Sequence, residues 1–176
     1  MNTDRLFFRK RTKELINKML NNSIEDQMAF FGFSTKKQLE NKLKRIEKGL
    51  SKKNVDYQIF DLIEKENQIV IGSCGFHNWI KEHSRSEIGY EIHKQYQNQG
   101  YMSEAIKKII NYGFQKMNLN RMEALIDPDN DNSIKIIYKN GFKQEGTLRG
   151  HYKNGNEFED SIMFSLLKSD YDNQIK

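Results

Sequence analysis

The sequence predicts one α/β (α+β) domain in which helices and a single mixed β-sheet share a core. Three observations indicate this class. The chain has 176 residues, which suits a single domain over residues 1–176, because domains commonly hold about 100 to 200 residues. Apolar residues recur with helical spacing in some segments and alternate with polar residues in others. These segments are interleaved without an internal repeat or a long linker, so one core is expected.

The first half of the chain combines helices with a predicted hairpin. Residues 35–50 follow Ser34, a good N-cap, and carry an apolar stripe on an otherwise charged helix. Two runs rich in β-branched and aromatic residues follow, separated by four polar residues. The predicted elements are a strand at 5–9, helices at 13–20 and 35–50 (stripe Leu39, Leu43, Ile46 and Leu50), and strands at 57–63 and 68–76.

The second half begins with a strand that alternates strictly. Ile88, Tyr90 and Ile92 are expected on one face, and Glu87, Gly89, Glu91 and His93 on the other, because strand side chains have period two. Asn154-Gly155 is a strong tight-turn signal, and Gly141 suits a left-handed helix end. The remaining predicted elements are helices at 102–117 and from about 133 to 139, and strands at 121–126, 145–152 and 158–167.

Composition excludes several classes. The net charge is +5, from 29 Lys and Arg against 24 Asp and Glu, but the cations are scattered, which argues against a nucleic-acid footprint. No stretch approaches the roughly 18 apolar residues of a membrane span. The polar N-terminus and the single cysteine, Cys74, predict a cytoplasmic protein without a disulfide. Cys74 and His77 form a Cys-x-x-His pair, but no second pair at ligand spacing accompanies it, so no metal is expected.

The segment that carries chemistry lies between the alternating strand and the helix after it. Gly100 allows the backbone to approach a ligand where the free N–H groups of a helix start point outward. Such a turn binds anions without a charged side chain, and a diphosphate would fit there. A glycine in a strand-to-helix turn is common, so its neighbours decide the interpretation.

Those neighbours resemble the GNAT acetyltransferase superfamily, and within it the RimJ/RimL-like branch that acetylates N-terminal amines of ribosomal proteins and other acceptors. The resemblance covers nearly the full chain and is weakest over residues 20–53. It rests on motifs in a fixed order: Arg5-Leu6-x-x-Arg9, Glu87-Ile88-Gly89-Tyr90, Gln97-x-x-Gly100-x-Met102-Ser103-Glu104-Ala105, Asn120-Arg121, Pro128-x-Asn130-x-x-Ser133, Tyr138-x-x-Gly141-Phe142, Glu145-Gly146-x-Leu148-Arg149 and Phe164-Ser165-Leu166-Leu167.

The resemblance implies a mostly antiparallel sheet of about seven strands, with a V-shaped splay between the fourth and fifth strands and about four flanking helices. It also implies acetyl-CoA as donor, with pantetheine in the splay and the diphosphate on backbone amides. The cofactor-binding residues it implies are Tyr90, Ile92, Gln97, Asn98, Gln99, Gly100, Tyr101, Met102, Ser103, Asn130, Ser133 and Tyr138.

The catalytic roles also follow from the resemblance. Glu87 is expected to be the general base, directly or through a water, with a pKa raised by partial burial. Tyr138 is expected to protonate the leaving thiolate, and Ser133 is the alternative donor. A backbone N–H between residues 90 and 92 would polarise the thioester carbonyl. The residues expected to contact the acceptor are Phe31, His77, Asn78 and Glu87, although the cluster around Phe31 suits the core equally well.

Two departures from the family pattern concern the phosphate loop. Met102 replaces a small residue, which a helix start tolerates if the side chain turns into the core. Asn98-Gln99 replaces a glycine and a cation, so coenzyme A should bind more weakly unless Lys94, Lys135 or Lys139 substitutes.

Several alternatives stay open at this point. A non-catalytic acyl-CoA-binding or sensor module on the same fold is the second interpretation, and a basic nucleic-acid-binding protein is the third. The acceptor is a protein N-terminus, ribosomal or other, or a small-molecule amine such as an amino acid, a polyamine or an aminoglycoside. Acidic residues such as Glu25, Asp26, Glu87 and Glu91 would favour a cationic acceptor if they converged. Family analogy also allows a homodimer.

Overall fold

In the part of the chain that the structure describes, seven strands form one mixed sheet with helices on both faces. The structure is a computed structural model that describes residues 1–50 and 56–174, with side chains described for all of these except 47–50 and 56. The strands are β1 (Leu6–Lys10), β2 (Asp56–Glu64), β3 (Val70–Ile80), β4 (Arg85–Ile92), β5 (Arg121–Ile126), β6 (Lys143–Asn154) and β7 (Glu157–Leu167). The α-helices are α1 (Lys13–Leu20), α2 (Ile24–Phe31), α3 (Lys36–Leu50), α4 (Tyr101–Lys116), α5 (Asp131–Lys139) and α6 (Lys168–Gln174), and short 3-10 helices cover Lys81–His83 and Lys94–Tyr96.

The strand order across the sheet is β1-β2-β3-β4-β5-β7-β6. Every neighbouring pair is antiparallel except β4 and β5, which run parallel. The helix α4 makes the crossover between these two strands, as a parallel pair requires. The predicted class, a mixed and mostly antiparallel sheet of about seven strands, is confirmed.

The parallel ladder between β4 and β5 is short. It contains three residue pairs, Arg85 with Arg121, Ser86 with Met122 and Glu87 with Glu123. Beyond that point β4 stays paired with β3 as far as Ile92, and β5 stays paired with β7 as far as Ile126. Each strand follows a different neighbour, so the sheet opens into a V between the fourth and fifth strands, as expected.

Strand alternation gives the sheet two chemically different faces. The larger core lies on the face covered by α4, where Phe76, Ile88 and Met122 are buried with helix residues such as Ile109. The opposite face carries His77, Glu87, Glu123 and other polar residues at the alternate positions. A second, smaller core of Ile16, Phe31 and Leu39 joins helices α1 to α3.

Two helices, α2 and α6, were not predicted. The α2 signals lie in the sequence: Ser23 caps the helix by accepting a hydrogen bond from the backbone N–H of Asp26, and Gly32 ends it with a left-handed φ of 70°. Leu39 of the predicted α3 stripe is buried, whereas the side chain of Leu50 lies outside the described residues. Across residues 1–50 and 56–174, none of the helices has the length and apolar character that crossing a bilayer requires.

Gly32 provides a stability test because its backbone cannot accept a side chain. A Cβ atom there would lie 1.8 Å from the carbonyl oxygen of Val70, and φ is positive. Gly32→Ala should lower the free energy of unfolding by at least about 1–2 kcal/mol, the ordinary cost of a left-handed residue with a Cβ. Gly146→Ala is the matched control, because nothing lies within 4 Å of its added Cβ. Its effect should stay within about 0.5 kcal/mol. Urea unfolding measures both, and equal effects would contradict this packing.

Candidate active site

One cleft runs along the opening between β4 and the start of α4. Its volume is about 580 Å³, which lies in the range of small-molecule sites. Three segments line it. The splayed end of β4 contributes Tyr90 and Ile92, the loop before α4 contributes its backbone, and the first turns of α5 contribute Ser133 and Lys135.

The loop before α4 presents uncapped backbone donors. Asn98 and Gly100 both have positive φ values, 60° and 82°, which turn the chain sharply into the helix. Gly100 is the N-cap and provides no side-chain hydrogen bond, so the first N–H groups of this 16-residue helix are left for a ligand. The helix dipole adds to these donors, and this is the arrangement with which helix starts in proteins bind anions.

Arg5, the residue directly before the edge strand β1, contacts this loop with its side chain. Its Nη1 donates to the carbonyl oxygen of Gln99 at 3.0 Å, and its Nε donates to Glu104 Oε2 at 2.8 Å. The other oxygen of Glu104 accepts from the backbone N–H of Arg5 at 3.0 Å, and the guanidinium lies 4.2 Å from the ring centre of Tyr101. Arg5 therefore fixes both ends of the turn at once. Sequence reasoning assigned Arg5 only to the first strand.

Most of the predicted cofactor-binding residues meet in this cleft. Those that line it are Tyr90, Ile92, Gln97, Asn98, Gly100, Tyr101, Met102, Ser103, Asn130 and Ser133. Gln99 does not line it, because its side chain folds back to donate to the carbonyl oxygen of Gln95. The side chain of Met102 is buried in the main core, as the sequence required. Of the three substitute lysines, Lys135 lines the cleft. The lining residues that the sequence did not predict are Tyr96, Asn132 and Ile136, and Glu91 also lines the cleft, although the sequence suggested it only as an acidic group near the acceptor.

The start of α5 places Ser133 in the cleft. Asn130 is the N-cap, and its Oδ1 accepts from the backbone N–H of Ser133 at 3.1 Å. The hydroxyl of Tyr90 crosses from β4 and donates to the carbonyl oxygen of Ser133 at 3.5 Å. Tyr138, the expected proton donor, lies elsewhere: it is 50% exposed, is absent from the lining, and donates its hydroxyl to Gln144 at 2.9 Å.

Glu87 lies on the opposite, polar face of β4, at the last residue pair before the splay. It is only 7% exposed. His77 Nε2 lies 3.0 Å from its Oε1, and Asn78 Nδ2 donates to its Oε2 at 2.8 Å. Burial acts to raise the pKa of Glu87, but the hydrogen bond and electrostatic attraction of His77, the hydrogen bond from Asn78 and the attraction of His151 outweigh burial and leave this pKa below its ordinary value. The expected upward shift is therefore corrected to a downward one.

A network of ion pairs closes the base of the V on the same face. Arg85 of β4 donates to Glu123 of β5 at 2.7 Å, and Arg121 donates to the other oxygen of Glu123 at 2.8 Å. Arg121 also makes a two-pronged contact with Glu145 of β6. The Arg121 hydrogen bond lowers the pKa of Glu145 to about 2, so this carboxylate stays ionised at neutral pH. Side chains from three strands thus reinforce the short ladder.

The other residues expected to contact the acceptor lie in two different places, the polar face of the sheet and the smaller core. His77 and Asn78 lie beside Glu87, whereas Phe31 is 2% exposed and packs in the smaller core, which agrees with the core alternative for this residue. Of the acidic residues expected to favour a cationic acceptor, Glu87 and Glu91 already have partners. Glu91 is paired with Lys42 and Arg45.

Cys74 and His77 do not form half of a metal site. Cys74 is buried in the main core, where desolvation raises the pKa of its thiol, whereas His77 reaches Glu87 on the other face of β3. Among the described residues, no group of three or more His, Cys, Asp or Glu side chains is placed to hold an ion.

Comparison with known proteins identifies the fold and the relatives. Residues 5–143 match the model of the acetyltransferase (GNAT) domain. The uncharacterized N-acetyltransferase p20 of Bacillus licheniformis is 45% identical over 112 residues, which are 64% of this chain and 63% of p20. A Bacillus subtilis protein provisionally named ribosomal N-acetyltransferase, YdaF, is 33% identical over 104 residues, 58% of this chain and 56% of that protein. The matches thus span about three fifths of these relatives.

A solved structure agrees over nearly the whole chain. The crystal structure of a GNAT-family acetyltransferase from Bacillus anthracis superposes with a TM-score of 0.68 at 26% identity. It covers 96% of this chain and 98% of that one.

The Arg5 contacts generate a binding prediction. Arg5→Gln should weaken coenzyme A binding about two- to fivefold, the range expected when an exposed ion pair of up to about 1 kcal/mol is lost. The reason is that the loop loses its external anchor while its backbone donors remain. Lys10→Gln is the matched control, since it removes an exposed cation from the same strand. Isothermal titration calorimetry measures both, and an equal loss in the two variants would leave net charge as the cause instead.

Proposed function

Because the chain belongs to the GNAT acetyltransferase family, we propose that it transfers the acetyl group of acetyl-CoA to a primary amine, by direct attack of the amine in a ternary complex. The observation that carries this proposal is a juxtaposition. The V between β4 and β5 opens directly beside the uncapped start of α4, so that a strand edge and an anion site share one cleft.

The cleft suits coenzyme A chemically. The N–H groups at residues 101–103 would hold the diphosphate, and Lys135 would add the positive charge that Asn98-Gln99 does not supply. The unpaired edge of β4 would hydrogen-bond pantetheine as an added strand does. Bound acetyl-CoA would supply the thioester that the amine attacks.

The chain's own groups fit the remaining roles. A backbone N–H of β4 between residues 90 and 92 would polarise the carbonyl, since this edge has no partner strand in the described ladder. Ser133 suits the proton donor to the thiolate better than Tyr138, because Ser133 lines the cleft and the Tyr138 hydroxyl is engaged with Gln144 outside it. No nucleophilic side chain is needed when the amine attacks directly.

The acceptor is proposed as a primary amine, at a protein N-terminus or on a small molecule. The name of YdaF points to ribosomal protein. The amine would approach from the polar face of β4, where His77 and Glu87 lie at the last residue pair before β4 and β5 separate. We expect this activity in the cytoplasm, in line with the lone, buried Cys74.

Two measurements test the proposal together. Calorimetry with coenzyme A reports binding, and thiol release from acetyl-CoA reports turnover with peptides, spermidine, an aminoglycoside and free amino acids. Binding with turnover of at least one amine is the expected result. Binding without turnover of any amine class would favour the non-catalytic acyl-CoA module, and no binding would refute both.

The choice between Ser133 and Tyr138 is a separate prediction. Ser133→Ala should lower kcat about 10²-fold, in the ordinary range for a lost general acid, and leave the coenzyme A Kd within about twofold. Tyr138→Phe should retain most of the activity, because its hydroxyl lies outside the cleft. Steady-state kinetics with saturating acceptor measures kcat. A large loss in Tyr138→Phe with little loss in Ser133→Ala would reverse the assignment.

A further inference from the structure

We infer that the imidazole of His77 takes the proton from the acceptor amine and that Glu87 acts through His77, as a positioning residue. This inference rests on the proposed function and assigns its base. Three features of the polar face support it: the engagement of Glu87, the reach of His77, and the rigid backbone that carries His77.

Glu87 is poorly placed to meet an acceptor itself. Its side chain is almost fully buried, and each carboxylate oxygen already has a partner, His77 on one and Asn78 on the other. The lowered pKa adds to this, because a carboxylate stabilised in its ionised form is a weaker proton acceptor. An anion held in this way is better suited to orienting a neighbour.

His77 reaches from that buried carboxylate toward the splay. The side chain of His77 is 37% exposed, against 9% for that of Glu87. A neutral ring that keeps its proton on Nε2 can donate it to the carboxylate 3.0 Å away, and in this tautomer Nδ1 is a proton acceptor. Within the part of the chain that the structure describes, nothing hydrogen-bonds to Nδ1.

Gly89 shows where the free edge of the ring lies. A Cβ atom on Gly89 would stand 2.8 Å from His77 Cε1 and 3.1 Å from Nδ1, but 3.9 Å from Nε2. The Cε1–Nδ1 edge therefore lies over Gly89. Gly89 is two residues beyond Glu87, the last β4 residue paired with β5, so Nδ1 lies over the first part of the open edge. Glycine at this position leaves the room that the ring occupies.

The backbone around His77 is held in place. The β3–β4 register breaks after His77, and Asn78 adopts a left-handed φ of 50°, which directs its amide to the same carboxylate. The hydroxyl of Ser86, itself buried, donates to the carbonyl oxygen of His77 at 2.9 Å. The pair is thus preorganised at the splay.

The proposed step balances in protons and bonds. As the amine nitrogen forms its bond to the acetyl carbon, it gives one proton to Nδ1, and the imidazole becomes an imidazolium beside the Glu87 anion. The carbon–sulfur bond breaks, and the thiolate takes a proton from Ser133 or from solvent. The imidazolium then releases its proton to solvent. Where Ser133 supplied the proton to the thiolate, solvent returns a proton to Ser133.

Other titratable groups surround the pair and enter its pH dependence. Asn78, which follows His77 on β3 and contacts Glu87, has an amide side chain and does not titrate. The β4–β5 register places Glu123, bound to Arg85, next to Glu87. From β6, His151 and Tyr152 lie close enough to interact with Glu87 electrostatically.

A double-mutant cycle separates the two possible bases. His77→Gln, which keeps a donor for Glu87, should lower kcat about 10²-fold at neutral pH and remove the acid limb of the kcat–pH profile. Glu87→Gln should lower kcat at least about tenfold. The double variant should be no slower than His77→Gln alone, because Glu87 acts through His77. A double variant much slower than His77→Gln would show that Glu87 takes the proton itself and would overturn the inference.

Further readouts guard against misfolding and against failure of the underlying function. His83→Gln, which changes an exposed histidine on the following 3-10 turn, is the matched control and should keep full activity. The coenzyme A Kd of all variants should stay within about twofold. A wild-type protein that turns over no amine would refute the proposed function and this inference with it, whereas equal turnover by wild type and His77→Gln would refute this inference alone.

A spectroscopic measurement needs no turnover. At about pH 8, where histidines are mostly neutral, a two-bond ¹H–¹⁵N spectrum of the ligand-free protein should show His77 with its proton on Nε2, identified by the loss of that signal in His77→Gln. A proton on Nδ1 instead would leave no acceptor facing the splay and would also overturn the inference.

Discussion

The site depends on the early end of the β4–β5 ladder. Only three residue pairs join the two strands, after which β4 follows β3 and β5 follows β7. This leaves a strand edge with free donors and acceptors, which a folded protein must cover or use. Here β3 holds β4 on one side of the opening and β7 holds β5 on the other. The ion pairs from Arg85 to Glu123 and from Arg121 to Glu145 reinforce the end where β4 and β5 are still paired. The opening therefore follows from the strand pairing of the sheet.

The period of two along β4 divides the chemistry between two faces. Tyr90 and Ile92 line the cleft, while Glu87 meets His77 on the polar side. In the proposed reaction, one strand would therefore present a donor molecule and a proton acceptor to the same opening from different directions, without a loop between them. Side chains on a strand are also held more precisely than side chains on a loop, which would suit the proposed attack of an amine on a carbonyl.

Much of this could be predicted from the sequence, and the failures have physical causes. Local patterns located β4, α4 and the loop between them, because period, caps and glycines act within a few residues. They could not reveal that Asn78 and His77 both bind Glu87, since those contacts depend on a register break in β3, and so the direction of the Glu87 pKa shift was missed. Tyr138 follows the buried Ile137, and one residue along a helix is a rotation of about 100°. A motif match fixed its position in the chain but not the direction of its side chain.

The strand order has a consequence for synthesis on the ribosome. The second neighbour of β5 is β7, the last strand, which is inserted between β5 and β6. A nascent chain that has reached Ile126 must therefore wait through α5 and β6 before that edge is covered, a delay of seconds at ordinary translation speeds. During this interval the edge is open to pairing with other chains. Until β7 is available, folding of this sheet therefore competes with association through the edge of β5.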